Sequence, residues 1–208
     1  MKQQVLFGTI RLLLAFTALF AIFVSHDFQA AWLVIAGFML SFIPQLIQRT
    51  FDLNLPWVYE LVIVGFIVAS LVLGEFFDAY QTFWWWDKVL HLSSGIVVGY
   101  VGFMVLYVLK MGKKFMAGPM VAAFFTFMVV MASASLWEIV EFTVDKLGYG
   151  PMQHGLDDSM WDMILAAAGG VVASAAAYWQ FHSPSTSPLG GHLRGFRRQN
   201  KHKVSKKS

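Results

Sequence analysis

The chain is 208 residues long, 58% hydrophobic, 16% aromatic and only 13% charged, with a mean hydropathy of +0.62. A soluble fold of this size cannot bury twenty Phe, eleven Met and eight Trp, so the composition excludes an ordinary globular domain and points to a polytopic membrane protein. With no cysteine, disulfides, thiolate metal sites and cysteine nucleophiles are excluded too, and the net charge of +3 hides a sharp separation along the chain.

A helix needs about 20 apolar residues to cross a bilayer. The first stretch that qualifies runs from Val5 to Val24, with Arg11 near its start. Its core is too long for a signal peptide, and Ser25-His26-Asp27-Phe28 after it makes no small-x-small cleavage site, so it reads as a retained helix. The second, Ala30 to Gln48, contains Pro44, which predicts a kink. The third lies between Pro56 and Glu75. The fourth runs from near Asp87 to Lys110, the fifth from Phe115 to about Phe142, and the sixth from near Asp158 to near Phe181. None shows the polar/apolar alternation of a barrel strand. The predicted fold is therefore all-α, a six-transmembrane-helix bundle over residues 1–182. Residues 183–208 change composition abruptly. Ser183-Pro184-Ser185-Thr186-Ser187-Pro188 is turn-rich, and the basic run after it contains no acid, which predicts a disordered tail. Such a tail can touch anionic lipid headgroups at ~1 kcal/mol per Lys or Arg; nucleic acid is not an expected partner.

Lys and Arg set the expected orientation. With the N-terminus in the cytoplasm, thirteen cations lie inside: Lys2, Arg11, Arg49, Lys110, Lys113, Lys114 and seven from Arg194 to Lys207. Only Lys88 and Lys146 lie outside. The acids are biased the other way. Asp52 and Glu60 are inner, while ten are outer: Asp27, Glu75, Asp78, Asp87, Glu138, Glu141, Asp145, Asp157, Asp158 and Asp162. The expected location is a bacterial inner (plasma) membrane, with several passes and both termini cytoplasmic.

The outer ends of the last three spans carry paired ligand-type side chains. Asp87 and His91 are four residues apart, Glu138 and Glu141 three, and Asp158 and Asp162 four, so each pair shares a helix face. His154 lies in the loop between the last two spans. Bland readings compete with a functional one. Asp87, Asp158 and Asp162 are near helix N-termini, where Asp caps well and the dipole favours carboxylates. Asp27, Glu75 and Asp78 read as solvated loop acids, and His91 as a structural histidine held by Asp87. Glu138 and Glu141 resist such readings. They are placed towards a helix C-terminus, where the dipole disfavours carboxylates, and two acids on one face need a counter-charge, a shared proton or a metal. Ser93-Ser94-Gly95, Ala132 to Ser135 and Ala166 to Gly170 are small residues that allow close helix packing.

Asp87-Lys88-Val89-Leu90-His91 with Gly95, Trp137-Glu138-Ile139-Val140-Glu141, and Gly155 to Met163 with Gly169 resemble three ordered motifs of the YjdF-like family of uncharacterised bacterial inner-membrane proteins. Ser159 stands where that family's motif has Thr. The resemblance covers about residues 83–175, and the first three spans carry no motif. A more distant likeness is to VanZ-like membrane proteins, a family linked to the cell envelope and glycopeptide resistance. The resemblance implies no reaction.

Carboxylates and imidazoles without thiols suit Mg, Mn, Fe or Zn. One expectation is a metal-dependent hydrolase or transferase acting on a lipid or lipid-linked envelope substrate. Glu138, Glu141, Asp158, Asp162 and His91 would be ligands. His91 and Asp87 would be the acid/base groups, and Lys88 and His154 would contact substrate. The alternatives are a non-catalytic accessory protein, with the acids as a helix-end network, and a cation- or proton-coupled transporter. The transporter suffers from the lack of ionisable residues in the inner halves of spans four to six.

Overall fold

The computed structural model describes residues 2–20, 22–23, 28–112, 116, 118–148 and 152–205, and their regular structure is entirely helical. Asp27, Lys113, Lys114, Lys206 and Lys207 lie outside the described residues, as do the side chains of Lys2, Glu75 and Lys203. The chain divides into two compact units, residues 1–90 and 91–208, with the division inside one continuous helix.

The first unit contains α1 (Lys2–Phe20), α2 (Phe28–Leu40), α3 (Ile43–Phe51), α4 (Trp57–Ile67) and the short α5 (Ala79–Thr82). Helix α4 continues as a π-helical stretch, Val68–Phe76. Leu14, Ala18, Val34 and Val72 form its buried core, where α1 and the π-helical stretch both pack on α2. The second predicted span is two helices rather than one kinked helix. Pro44 has no N–H to give to the carbonyl one turn back, so the helix cannot run through it unaided. Ser41 Oγ turns back to donate to Phe38 O (2.6 Å). Arg11 fills the gap from α1: Nη2 donates to Ser41 O (2.8 Å) and Gln45 Oε1 (2.7 Å), and Nε donates to Ser41 Oγ (3.2 Å). The guanidinium lies 4.2 Å over the Phe42 ring and 3.9 Å from Glu60, which Gln45 also hydrogen-bonds. A helix break in an apolar surrounding requires such internal satisfaction of the backbone.

The second unit is built on α6 (Trp86–Met111), α7 (Pro119–Lys146) and α8 (Leu156–His182). Pro119 occupies the first turn of α7, where its missing N–H costs nothing. Helix α8 starts from Gly155 at φ +108°, a conformation that favours glycine. Six of its buried positions, Asp162, Ala166, Gly169, Ala173, Ala177 and Gln180, recur every three or four residues and form a stripe, which Gly170 and Phe181 widen. Gly95 and Gly169 bring α6 and α8 into backbone contact. A Cβ on Gly95 would collide with the Ala166 carbonyl, and one on Gly169 with the Leu92 carbonyl.

Among the described residues, four helical segments are long and apolar enough to cross a membrane: Trp57–Gly74, Trp86–Met111, Pro119–Lys146 and Leu156–His182. They match the third to sixth expected spans, with the fifth running four residues beyond Phe142. The apolar part of α1, Leu6–Phe20, is shorter, and the second span is divided between α2 and α3.

The expectation of a disordered tail needs correction over residues 190–205, which form α9 (Gly190–Ser205). Leu193, Phe196 and Asn200 are buried, and Leu193 joins a core cluster with Phe103, Leu106, Ala122, Ala177 and Phe181. Phe196 packs at 6.4 Å from the Tyr107 ring. The reason is periodicity. Leu193, Phe196 and Asn200 share one helix face, while Arg194, Arg197, Arg198 and Lys201 remain exposed on the other. Truncation at His182 is therefore expected to destabilise the protein by uncovering that cluster. Phe196→Ala alone should cost about 3 kcal/mol, readable as a lower thermal midpoint in detergent.

Candidate functional site

Asp87 and His91 lie in the first two turns of α6. Asp162 is in the second turn of α8. Because Gly95 and Gly169 let the two helices touch, His91 Nε2 comes within 3.8 Å of Asp162 Oδ2, with both side chains largely buried. One ligand atom from each of Asp87, His91 and Asp162 falls within 4.8 Å of the others. Two ligands on one ion, with bonds of ~2.1 Å, lie at most ~4.2 Å apart. The His91–Asp162 separation of 3.8 Å meets that limit. Without an ion, the same groups can act as an ion pair between protonated His91 and Asp162.

Helix α7 presents Glu138 and Glu141 to this region. It continues to Lys146, so Glu138 is eight residues, or ~12 Å, short of its end rather than in the last turn. Glu138 extends the buried row of Ala122, Thr126 and Val130. Glu141 is half-buried and within electrostatic reach of Glu138, His91 and Asp162. The three helices thus bring Asp87, His91, Glu138, Glu141 and Asp162 to one neighbourhood.

The remaining predicted residues are engaged locally. Asp158 lies 3.7 Å from His154, an i,i+4 pair on the surface of the α8 entry. It does not cap α8, whose N-cap is Gly155 with no side-chain cap bond. Lys88 Nζ is 3.6 Å from Asp87 Oδ2, at the edge of the cluster. Asp145, in line with Glu138 and Glu141 in the sequence, instead ties down the loop before α8 by accepting from the backbone N–H of Met152 (2.6 Å) and Gln153 (3.0 Å).

Gln153 carries no motif or charge that marks it in the sequence. Its Nε2 donates to the Glu138 carbonyl (3.5 Å) and to Ser159 Oγ (3.3 Å), linking α7 at Glu138 to the start of α8. An uncharged loop residue gives no sequence signal for such a role. The Arg11–Glu60 contact was also missed. Its signal was present, since two opposite charges lie within apolar segments, but pairing them requires α1 and α4 to meet.

Helices of this length and apolarity, with ionisable groups gathered near the ends of three of them, define a polytopic membrane protein. The chain belongs to the family described as predicted membrane protein (DUF2238), whose model matches residues 8–183. A protein of Thermotoga maritima described as uncharacterized is 30% identical over 131 residues, 62% of this chain. The aligned stretch spans 66% of that relative's length, just under two thirds. Neither is described as YjdF-like or VanZ-like. The family match reaches back through the first three spans, where the motifs were silent. No solved structure matches the chain.

Proposed function

We propose that the protein binds a divalent cation among Asp87, His91 and Asp162, and uses it for hydrolysis or group transfer on a lipid or lipid-linked substrate. The observation that carries the reading is the approach of these three ligand-type side chains to within 4.8 Å of one another. An oxygen-rich set with one imidazole suits Mg, Mn, Fe or Zn. Such an ion would polarise a phosphoryl or carbonyl oxygen, or activate a bound water. Lys88 and His154 are the side chains proposed to meet the substrate headgroup. The proposed setting is a bacterial inner membrane crossed six times, with α1 and the α2–α3 pair completing the count. Both termini are cytoplasmic and the cation site faces outward, supported by the asymmetry of Lys and Arg. The exposed Arg194, Arg197, Arg198 and Lys201 of α9 would then lie at the inner leaflet, beside anionic headgroups.

The local pairs Lys88–Asp87 and His154–Asp158 support a second reading, a non-catalytic accessory protein in which the acids stabilise helix ends. Metal analysis separates the two. The purified protein is expected to hold at least one divalent cation per chain, lost on chelation and in Asp162→Asn and His91→Ala, but retained in Asp78→Asn. Failure of every tested cation to bind at millimolar concentration would reject the cation reading. Orientation has its own check: a cysteine placed at Ser208 should label only after the cells are opened, and one at His154 from outside intact cells.

A further inference from the structure

We infer that the site takes a second divalent cation, held by Glu138 and Glu141 of α7, and that the two ions together form a receptor for an oxyanion such as a lipid-linked phosphate. The inference rests on the cation reading above and adds the number of ions, the residues that hold the second and the charge they leave.

Glu138 is 9% exposed, and its Oε2 is buried with no hydrogen-bond partner. An ionised carboxylate oxygen only accepts, so a buried one with no donor calls for a cation or a proton. Glu138 also continues the packed row of Ala122, Thr126 and Val130, so it occupies an interior position of α7. Glu141, one turn on, shares its face and is within electrostatic reach of Glu138, His91 and Asp162. The nearby lysines have other engagements: Lys88 pairs with Asp87 at 3.6 Å, and Lys146 Nζ lies 5.3 Å from the Phe142 ring centroid.

Charge then decides the number of ions. With His91 neutral, as a ligand must be, Asp87, Glu138, Glu141 and Asp162 against Lys88 leave a formal −3. One divalent cation leaves −1, which repels an anionic substrate. Two leave +1, which a single hydroxide or phosphoryl oxygen neutralises. Asp162, 3.8 Å from His91 and within electrostatic reach of Glu141, is the carboxylate proposed to be shared by the two ions, which sit ~3.5–4 Å apart in the usual two-metal site.

Mn²⁺ binding to the full chain purified in detergent tests this. Wild type is expected to bind two ions per chain with a spin-coupled electron paramagnetic resonance signal, and inorganic phosphate should tighten binding about tenfold. Glu138→Gln, which keeps the side-chain volume, should bind one uncoupled ion and lose the phosphate effect, and Glu141→Gln should do the same. One ion in wild type, unchanged by either substitution, overturns the second site and leaves the first cation standing. No ion in wild type overturns both.

Discussion

Gly169→Val is expected to abolish cation binding and to destabilise the protein by more than ~3 kcal/mol, the upper end of ordinary overpacking. A Cβ at this position meets backbone: the Leu92 carbonyl, the Ile96 nitrogen at 2.9 Å and the Gly95 Cα at 3.1 Å. Backbone atoms in the middle of a helix cannot swing aside as a side-chain tip can, so α6 and α8 must separate. Asp162 is seven residues, ~10 Å, along α8 from this contact. Metal ligation tolerates distance errors of only ~0.2 Å, so a separation of about 1 Å removes Asp162 from His91's reach. Gly65→Ala in α4 is the matching control. Nothing lies within 4 Å of its added Cβ, and it should be neutral or stabilising by up to ~1 kcal/mol, the helix preference of Ala over Gly. Thermal unfolding in detergent, with metal content measured on the same samples, reads both effects. Wild-type cation binding by Gly169→Val would mean that the helix crossing does not position the site.

Much of the candidate cluster is legible in the sequence because charge in an apolar helix is expensive and helix periodicity is rigid. Asp87, His91, Glu138, Glu141 and Asp162 stood out for the first reason, and the shared faces followed from spacings of three and four. The same spacing rule overreached at Asp158. It shares a face with Asp162, but lies a full turn nearer the exposed start of α8, where His154 is within reach. Spacing gives the face of a helix and not how far along it the neighbouring helix makes contact. The tail was misread for a different reason. Its average composition is that of a solvated chain, whereas burial of α9 depends on Leu193, Phe196 and Asn200 falling on one stripe. The break after Leu40 was half legible. Pro44 announced a disturbance, but the broken ends are stabilised by Arg11, thirty residues before Ser41 in the chain. Tertiary contacts of that kind leave no local trace in the sequence.

That Arg11 network supports the second large prediction. Arg11→Met should destabilise the first unit by about 3–5 kcal/mol, the usual cost of removing one partner from a buried ion pair. The loss has two parts. Glu60, largely buried, would keep its Gln45 contact but lose the guanidinium 3.9 Å away. Ser41 O, at the helix break, would lose its 2.8 Å donor. The parts can be separated. Arg11→Met combined with Glu60→Gln removes the uncompensated charge and leaves only the orphaned carbonyl, worth about 1–3 kcal/mol. Stability should therefore fall in the order wild type, double variant, Arg11→Met. Arg11→Lys should not restore wild-type stability, because a single ammonium lacks the planar fork with which Arg11 reaches Ser41 and Gln45 through separate nitrogens. Denaturant unfolding of the three variants in one detergent gives the order directly. If Arg11→Met is as stable as wild type, the break between α2 and α3 is held by the surrounding apolar contacts alone. If the double variant is no better than the single, the cost lies in the Ser41 carbonyl and Glu60 has no share in it.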